Sequence, residues 1–177
     1  MSAPPRHRLF FALWPDDRAR DALAAAARAV GGYGGGRAVG YEHLHLTLAF
    51  LHSVEAPVID ALRDVASGLV LPAMTLHIDR VGYFGRPRVL WLAPSRPPEA
   101  LLAFERGLWA ALSPLGFERR HTQFRPHVTV RRDAPAPAPD AVVAPFDWRV
   151  TAWALVESST GPGGARYRPL ACWPAAY

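Results

Sequence analysis

The sequence is poor in cysteine, since Cys172 is the only one among 177 residues. A single cysteine excludes an intramolecular disulfide and every zinc site that is built from several cysteines. It suits a reducing compartment, so we expect a cytoplasmic protein. No apolar run approaches the ~20 residues of a membrane span, and the run at residues 9–14 has only the length of a strand. We therefore expect no membrane partner.

Lysine and asparagine are absent, and isoleucine occurs only twice. All 20 basic residues are arginine, which gives a net charge of +5 and an isoelectric point near 10.1. A basic chain attracts polyanions such as nucleic acids. The missing residues, however, are those with AT-rich codons, so genome composition accounts for much of the arginine excess. The placement of single arginines is therefore more informative than the bulk charge.

The length allows one compact domain, or two small lobes that share a core, and is too short for two independent enzymatic domains. We expect residues 1–177 to form a single functional unit, and a monomer. Half of the residues are hydrophobic and 20% are charged. Such a chain buries enough apolar surface to offset the entropy of ordering, so we expect a globular protein and not a disordered one.

The order of apolar patterns and turn residues predicts an α+β protein with mostly antiparallel sheets. Asp16 or Asp17 caps the first predicted helix, and Pro98 marks the start of the third. The predicted helices are residues 17–30, 56–70 and 98–114. The predicted strands are residues 9–14, 44–51, 73–84, 88–93, 127–132, 148–157 and 166–173.

Two copies of one short motif stand out, each with a histidine and a threonine two positions apart on a predicted strand. His45 and Thr47 form the first copy, and His127 and Thr129 form the second. Because side chains alternate between the faces of a strand, each imidazole shares a face with its hydroxyl, and the apolar residues between them anchor the other face in a core. Two such strands, either side by side or across a cleft, would make a pocket with two imidazoles and two hydroxyls.

That set of groups suits phosphodiester hydrolysis without a metal ion. A neutral imidazole removes a proton from water, an imidazolium protonates the departing oxygen, and hydroxyls hold the phosphate oxygens. Histidine fits both tasks because its ordinary pKa near 6.5 lets both protonation forms be populated around neutral pH.

The residues around both motifs resemble one known family. Residues 45–51 (HLTLAFL) and 125–132 (RPHVTVRR) are similar to the two signature motifs of the RNA 2′,3′-cyclic phosphodiesterases, once called 2′-5′ RNA ligases, in the two-histidine phosphoesterase superfamily. The resemblance extends to the family's first strand and its closing hairpin, at residues 8–15, 155–158, 161–167 and 173–174. It implies a two-lobed fold with flanking helices around a central cleft, with one His-x-Thr motif in each lobe.

The resemblance also implies the reaction and the roles of the site residues. The substrate is RNA or a small nucleotide that ends in a 2′,3′-cyclic phosphate, the product carries a 2′-phosphate, and no cofactor is needed. His45 is the proton donor to the leaving 3′ oxygen, and His127 is the base that activates water. Thr47, Thr129 and Arg132 bind the phosphate oxygens. Replacing water by an RNA 5′-hydroxyl gives a minor 2′-5′ ligation on the same groups.

Two residues depart from the family pattern: His52 stands where a glycine usually follows the first motif, and Arg131 replaces a small or apolar residue. Several arginines lie close to the second motif and form a candidate patch for the RNA backbone. These are Arg119, Arg120, Arg125, Arg131 and Arg132.

Two other kinds of function stay open at this point. A non-catalytic RNA-binding module would keep the cleft alone, although both motifs are intact. A metal-dependent hydrolase would use His43 with His45, but Glu42 is the only nearby carboxylate. Some of the six tryptophans could stack on bases, and most should belong to the core.

Overall fold

A computed structural model describes residues 5–30, 35–121, 123–137, 141–161 and 164–176 of the protein. Within these residues the chain forms three α-helices and ten β-strands. The helices are α1 (Asp17–Val30), α2 (Val58–Ser67) and α3 (Glu99–Leu112). The strands are β1 (Arg6–Leu13), β2 (Arg37–Ala38), β3 (Leu46–Glu55), β4 (Met74–Ile78), β5 (Arg80–Phe84), β6 (Val89–Ala93), β7 (Val128–Arg132), β8 (Phe146–Val150), β9 (Ala152–Gly161) and β10 (Gly164–Pro174).

The helix boundaries follow from local chemistry that the sequence already contains. The Asp16 carboxylate accepts a hydrogen bond from the Ala19 amide at 2.9 Å and so caps α1, as predicted. Helix α3 begins directly after Pro98, whose fixed φ suits a helix start. The chain leaves the turn after α3 at Gly116, where a φ of 83° favours glycine.

Eight of the ten described strands form one large antiparallel sheet with the order β10-β9-β1-β3-β7-β6-β5, in which β2 pairs with β7. Two half-sheets can be recognised in it, β10-β9-β1-β3 and β7-β6-β5. In the described part of the chain, one residue pair, Leu46 with Val128, joins them through β3 and β7. These half-sheets are the two lobes of the α+β fold, and the sequence prediction of that fold is confirmed.

The main hydrophobic core lies on one face of this sheet. Helices α2 and α3 pack on each other and on β3, and α1 contacts β8. The apolar residues of both motif strands, among them Leu46, Leu48, Val128 and Val130, belong to this core and are at most 3% exposed. The opposite face of the same strands is therefore left for polar groups.

Two of the predicted strands were too long, because each is two strands in different sheets. The predicted strand 73–84 breaks at Asp79, whose carboxylate accepts hydrogen bonds from the backbone and the hydroxyl of Ser95 at 2.7 and 2.6 Å. The predicted strand 148–157 breaks at Thr151. The pieces before the breaks, β4 and β8, pair with each other in a separate two-stranded sheet. No helix among the described residues is long and apolar enough to cross a membrane.

Candidate active site

Each motif histidine precedes a strand by one residue, and both strands run side by side at the centre of the sheet. His45 leads into β3, and His127 leads into β7. Both imidazoles and both threonines are partly exposed, whereas the alternate residues are buried. All four polar side chains therefore lie on the face opposite the main core, as the alternation of the motifs predicted.

The register of the two strands relates the motifs by an approximate twofold symmetry. Leu46 pairs with Val128 in antiparallel orientation. Continuing that register by one residue sets His45 opposite Thr129, and Thr47 opposite His127. Each imidazole thus lies across from the hydroxyl of the other motif, with the joining pair at the centre. The two imidazoles and the two hydroxyls of the motifs thus lie together on one face of the sheet.

Backbone carbonyls fix the tautomer of both imidazoles. The Nδ1 atom of His45 lies 2.6 Å from the His43 carbonyl, and Nδ1 of His127 lies 2.7 Å from the Arg125 carbonyl. A carbonyl oxygen only accepts, so Nδ1 must donate and the neutral ring keeps its lone pair on Nε2. In His45 that lone pair accepts a hydrogen bond from the Thr47 hydroxyl at 3.1 Å. Each neutral ring thus has its basic nitrogen on Nε2, where a general base needs it.

The surroundings of both rings favour their neutral form. Burial lowers the pKa of His45 to about 4, the hydrogen bond to the His43 carbonyl opposes this, and the charge of Arg132 lowers the pKa further. Burial also lowers the pKa of His127, and Arg132 again contributes. The charge of one guanidinium therefore acts on both imidazoles.

Arg132 is held at the cleft by a residue from the opposite half-sheet. Its Nη2 donates to the Tyr167 hydroxyl of β10 at 3.3 Å. The Tyr167 ring in turn meets the His45 ring edge-on, with 5.1 Å between centroids. Tyr167 thus connects the guanidinium of one lobe to the imidazole of the other. The five predicted site residues come together at this place.

Aromatic side chains surround each imidazole. Phe10 lies 4.8 Å from the His45 ring, and Trp14 lies almost parallel to it at 6.1 Å. Phe84 and Trp91 lie 5.1 and 6.1 Å from the His127 ring. These rings exclude water from the imidazoles, which is the physical cause of the lowered pKa values.

Phe10 and Tyr167 were not picked out from the sequence as site residues. A signal for Phe10 existed, because the apolar run at residues 9–14 has no polar alternation and therefore predicts a strand that is covered on both faces. One face meets the core, and the other forms a small second apolar cluster beside His45. That cluster consists of Phe10, Ala12, Ala154 and Val156, with Trp14, Phe50 and Tyr167 packed around it. Tyr167 had no such signal.

The predicted arginine patch divides into two groups. Arg119 makes two hydrogen bonds, of 3.0 and 2.9 Å, to the buried carboxylate of Glu105. Arg131 donates to the carbonyls of Gly35 and Gly36 at 3.0 and 3.2 Å. Arg119 and Arg131 therefore make structural contacts within the protein. Arg120 and Arg125 are exposed, and Arg132 lies in the cleft, so these three remain candidates for contact with RNA.

The other residues considered from the sequence have clear positions. The His43 ring packs edge-on against Tyr167 at 5.0 Å. Among the described residues, no group of three histidine, cysteine, aspartate or glutamate side chains could hold a metal ion. Trp148 and Trp153 are fully buried in the core, whereas Trp14 and Trp91 flank the histidines.

Comparison with known proteins agrees with this geometry. The family model of the 2′-5′ RNA ligase superfamily matches residues 14–162. The chain is similar to the RNA 2′,3′-cyclic phosphodiesterase of Escherichia coli, with 38% identity over 78% of this chain and 79% of the relative. It is also similar to the RNA 2′,3′-cyclic phosphodiesterase of Thermus thermophilus, with 35% identity over 92% of this chain and 87% of the relative.

A similar solved structure is that of E. coli LigT in complex with 3′-AMP. It superposes with a TM-score of 0.79 and 32% sequence identity, over 97% of this chain and 99% of LigT. The match thus spans both half-sheets and the cleft between them.

Proposed function

The chain belongs to the 2′-5′ RNA ligase superfamily, and from this premise we propose that it opens 2′,3′-cyclic phosphates at RNA ends and leaves a 2′-phosphate. The observation that carries the proposal is the symmetric pair of imidazoles, His45 and His127, whose Nε2 atoms are both basic in the neutral rings. A relative whose solved complex holds 3′-AMP supports a nucleotide as the bound group.

In the proposed reaction the two histidines act on opposite sides of the phosphorus. Nε2 of His127 removes a proton from water, and the oxygen of that water attacks the phosphorus in line with the bond to the 3′ oxygen. That bond breaks, and protonated His45 delivers a proton from Nε2 to the 3′ oxygen. His127 ends charged and His45 neutral, and exchange with solvent restores the starting state.

Charge and hydrogen bonds in the cleft suit the transition state. The hydroxyls of Thr47 and Thr129 donate to the non-bridging phosphate oxygens, and the Arg132 guanidinium balances their negative charge. In the free protein Thr47 donates to His45 instead. Binding of phosphate therefore moves one hydrogen bond from the imidazole to the ligand, which frees Nε2 of His45 to accept a proton.

We propose further that residues 1–177 act as one two-lobed domain, as a monomer and in the cytoplasm, without a cofactor. A minor 2′-5′ ligation uses the same groups, with an RNA 5′-hydroxyl in place of water. Because water is in great excess, hydrolysis dominates.

The test is the turnover of an oligonucleotide that ends in a 2′,3′-cyclic phosphate, with excess chelator present and the product identified by ³¹P NMR. We expect a 2′-phosphomonoester at an undiminished rate. Strict dependence on added zinc or manganese would favour a metal-dependent hydrolase. Binding of the oligonucleotide without any turnover would favour the RNA-binding module.

A further inference from the structure

One residue of β3 has a backbone conformation that ordinary side chains avoid. His52 has a φ of 59°, in the left-handed region that favours glycine. The residue lies at an irregularity of the sheet, because the pairing of β1 with β3 shifts by one residue between Leu9–His52 and Phe10–Phe50. A glycine would relieve the backbone strain of this bulge. The presence of a histidine at position 52 therefore has to be explained by what the imidazole ring contacts.

The His52 ring belongs to a group of aromatic and basic side chains on the cleft face of the sheet. It meets the Phe50 ring edge-on, with 4.6 Å between centroids. The guanidinium carbon of Arg8, on the neighbouring strand, lies 4.7 Å from the centre of the same Phe50 ring. Phe50 is partly exposed, and Arg8 and His52 are exposed. These three residues are called the β1–β3 platform below.

The platform is continuous with the candidate active site. Phe50 lies 6.3 Å from Phe10, with the two rings inclined by only 22°, and Phe10 lies 4.8 Å from the His45 ring. Phe50 pairs with Phe10 across β1 and β3, so it lies on the same face as Phe10 and His45. Arg8 and His52 reach this face through their contacts with the Phe50 ring. A chain that leaves the phosphate site along β1 and β3 meets the platform next.

The chemistry of the platform suits single-stranded nucleic acid. Exposed rings on adjacent strands of a sheet, and the planes of arginine guanidinium groups, are surfaces on which unpaired bases stack. The Arg8 guanidinium places a positive charge at this surface, 4.7 Å from the centre of the Phe50 ring. Partial desolvation lowers the pKa of His52, which favours the neutral ring and its aromatic surface, whereas Arg8 supplies the charge for a phosphodiester.

We propose that the β1–β3 platform binds the nucleotide on the 5′ side of the terminal cyclic-phosphate nucleotide, with the base stacked on the platform and the connecting phosphate near Arg8. An RNA that ends in a cyclic phosphate continues from the terminal nucleotide only in the 5′ direction. The platform thus makes the protein prefer oligonucleotides over cyclic mononucleotides. This inference rests on the proposed function.

The test compares two substrates, 2′,3′-cyclic AMP and a tetranucleotide that ends in a 2′,3′-cyclic phosphate. The measured quantity is the ratio of kcat/KM for the tetranucleotide to that for the mononucleotide, so that general damage to the catalytic groups cancels. We expect Arg8→Gln and His52→Gly each to lower this ratio by about fivefold or more, in keeping with base stacking on aromatic groups. The matched control is Arg80→Gln, which removes a guanidinium 5.9 Å from the Trp91 ring on the other half-sheet.

His52→Gly also separates binding from folding. Because glycine suits a φ of 59°, the Tm of this variant should be equal to or higher than that of the parent while the ratio falls. A fall in Tm without a change in the ratio would mean that His52 is structural, and would overturn the proposal. An unchanged ratio in both platform variants, or an equal loss in the Arg80→Gln control, would overturn it as well.

A binding measurement keeps this inference distinct from the reaction itself. If the parent opens neither substrate, the proposed function fails, and the platform is tested by fluorescence anisotropy with a labelled tetranucleotide that carries a terminal 2′-phosphate. Weaker binding by Arg8→Gln and His52→Gly, but not by Arg80→Gln, would support an RNA subsite. Equal binding by all variants would contradict it.

Discussion

The lowered pKa of His45 opposes its proposed role as the general acid, because an acid must be protonated before it reacts. With a pKa of about 4, only about one His45 ring in a thousand is protonated at pH 7 in the free protein. Protonating the ring at that pH costs roughly 4 kcal/mol, because each unit of pKa corresponds to about 1.4 kcal/mol. An anion bound beside the ring must offset most of this cost. We therefore expect the pKa of His45 to rise strongly when a phosphate occupies the cleft.

The assay is a pH titration of the imidazole nitrogens by ¹H–¹⁵N NMR, with the His45→Ala variant used to assign the signal. In the free protein we expect the Nδ1–H tautomer at pH 7 and a midpoint near 4. His77 serves as an internal reference, because its hydrogen bond to Asp147 raises its pKa. With 2′-AMP bound, the midpoint of His45 should rise by at least about one unit, since a nearby negative charge favours the imidazolium.

Two results would refute this reasoning. A midpoint of 6.5 or higher in the free protein would mean that neither burial nor Arg132 acts on His45 as described. A midpoint that stays near 4 with 2′-AMP bound would leave His45 neutral at the moment of reaction, and the acid would have to be another group.

Three further predictions follow from the same contacts. Because the folded-state pKa values of His45 and His127 lie below the ordinary value, the unfolded chain binds more protons, and the free energy of unfolding should fall as the pH falls from about 6.5 to 4. Urea titrations at pH 7 and pH 4.5 should show this loss of stability. In His45→Gln the loss should be smaller by roughly 2–3 kcal/mol. Arg132→Ala should lower turnover of the cyclic phosphate with little change in Tm. Tyr167→Phe removes only the hydroxyl that Arg132 contacts, so it should give a smaller loss of turnover. Equal turnover in the parent and both variants would contradict a role for this contact. A Cβ at Gly82 would collide with Cη2 and Cζ2 of Trp91, so Gly82→Ala should displace the indole that lies beside His127. Single-turnover kinetics should then show a lower kcat. The control Gly107→Ala, whose Cβ would meet open space, should leave kcat unchanged.

The motif residues of the site could be predicted from the sequence because they belong to a local pattern that occurs twice. A histidine and a threonine two positions apart share a face of any strand, whatever the rest of the fold does. The pairing of Leu46 with Val128 was not readable in this way, since it joins residues 82 positions apart. The family resemblance supplied only the placement of one motif in each lobe of a central cleft.

The over-long strands show where the alternation of apolar residues was misinterpreted. Met74, Leu76 and Ile78 are buried at even positions, but Val81 and Tyr83 continue at odd positions. A change of parity within a run requires a break, because one strand cannot present both sets to the same face. The same change occurs near Thr151, and either one would have predicted two strands.

Proximity in sequence to the second motif did not predict which arginines of the patch reach the cleft. Arg131 and Arg132 are neighbours, yet one guanidinium reaches the carbonyls of Gly35 and Gly36 and the other reaches the cleft. Simple alternation from His127 and Thr129 would send Arg131 to the cleft instead, but the shift in the β6–β7 pairing between Thr129 and Arg131 reverses the faces. The distant residues that join the site, Phe10 and Tyr167, reach it through strand pairings that composition does not encode. Only the assembled sheet brings them to His45.

The most direct test of the acid–base pair is a comparison of His45→Ala and His127→Ala on two leaving groups. On a cyclic-phosphate RNA both variants should be severely impaired, because general acid and base groups each contribute ~10²- to 10⁴-fold. On an aryl phosphodiester, whose phenolate leaves without protonation, His45→Ala should retain far more of the parent kcat/KM than His127→Ala, since water must still be activated. The opposite ranking would exchange the two roles, and equal losses on the aryl substrate would contradict the assignment of an acid and a base.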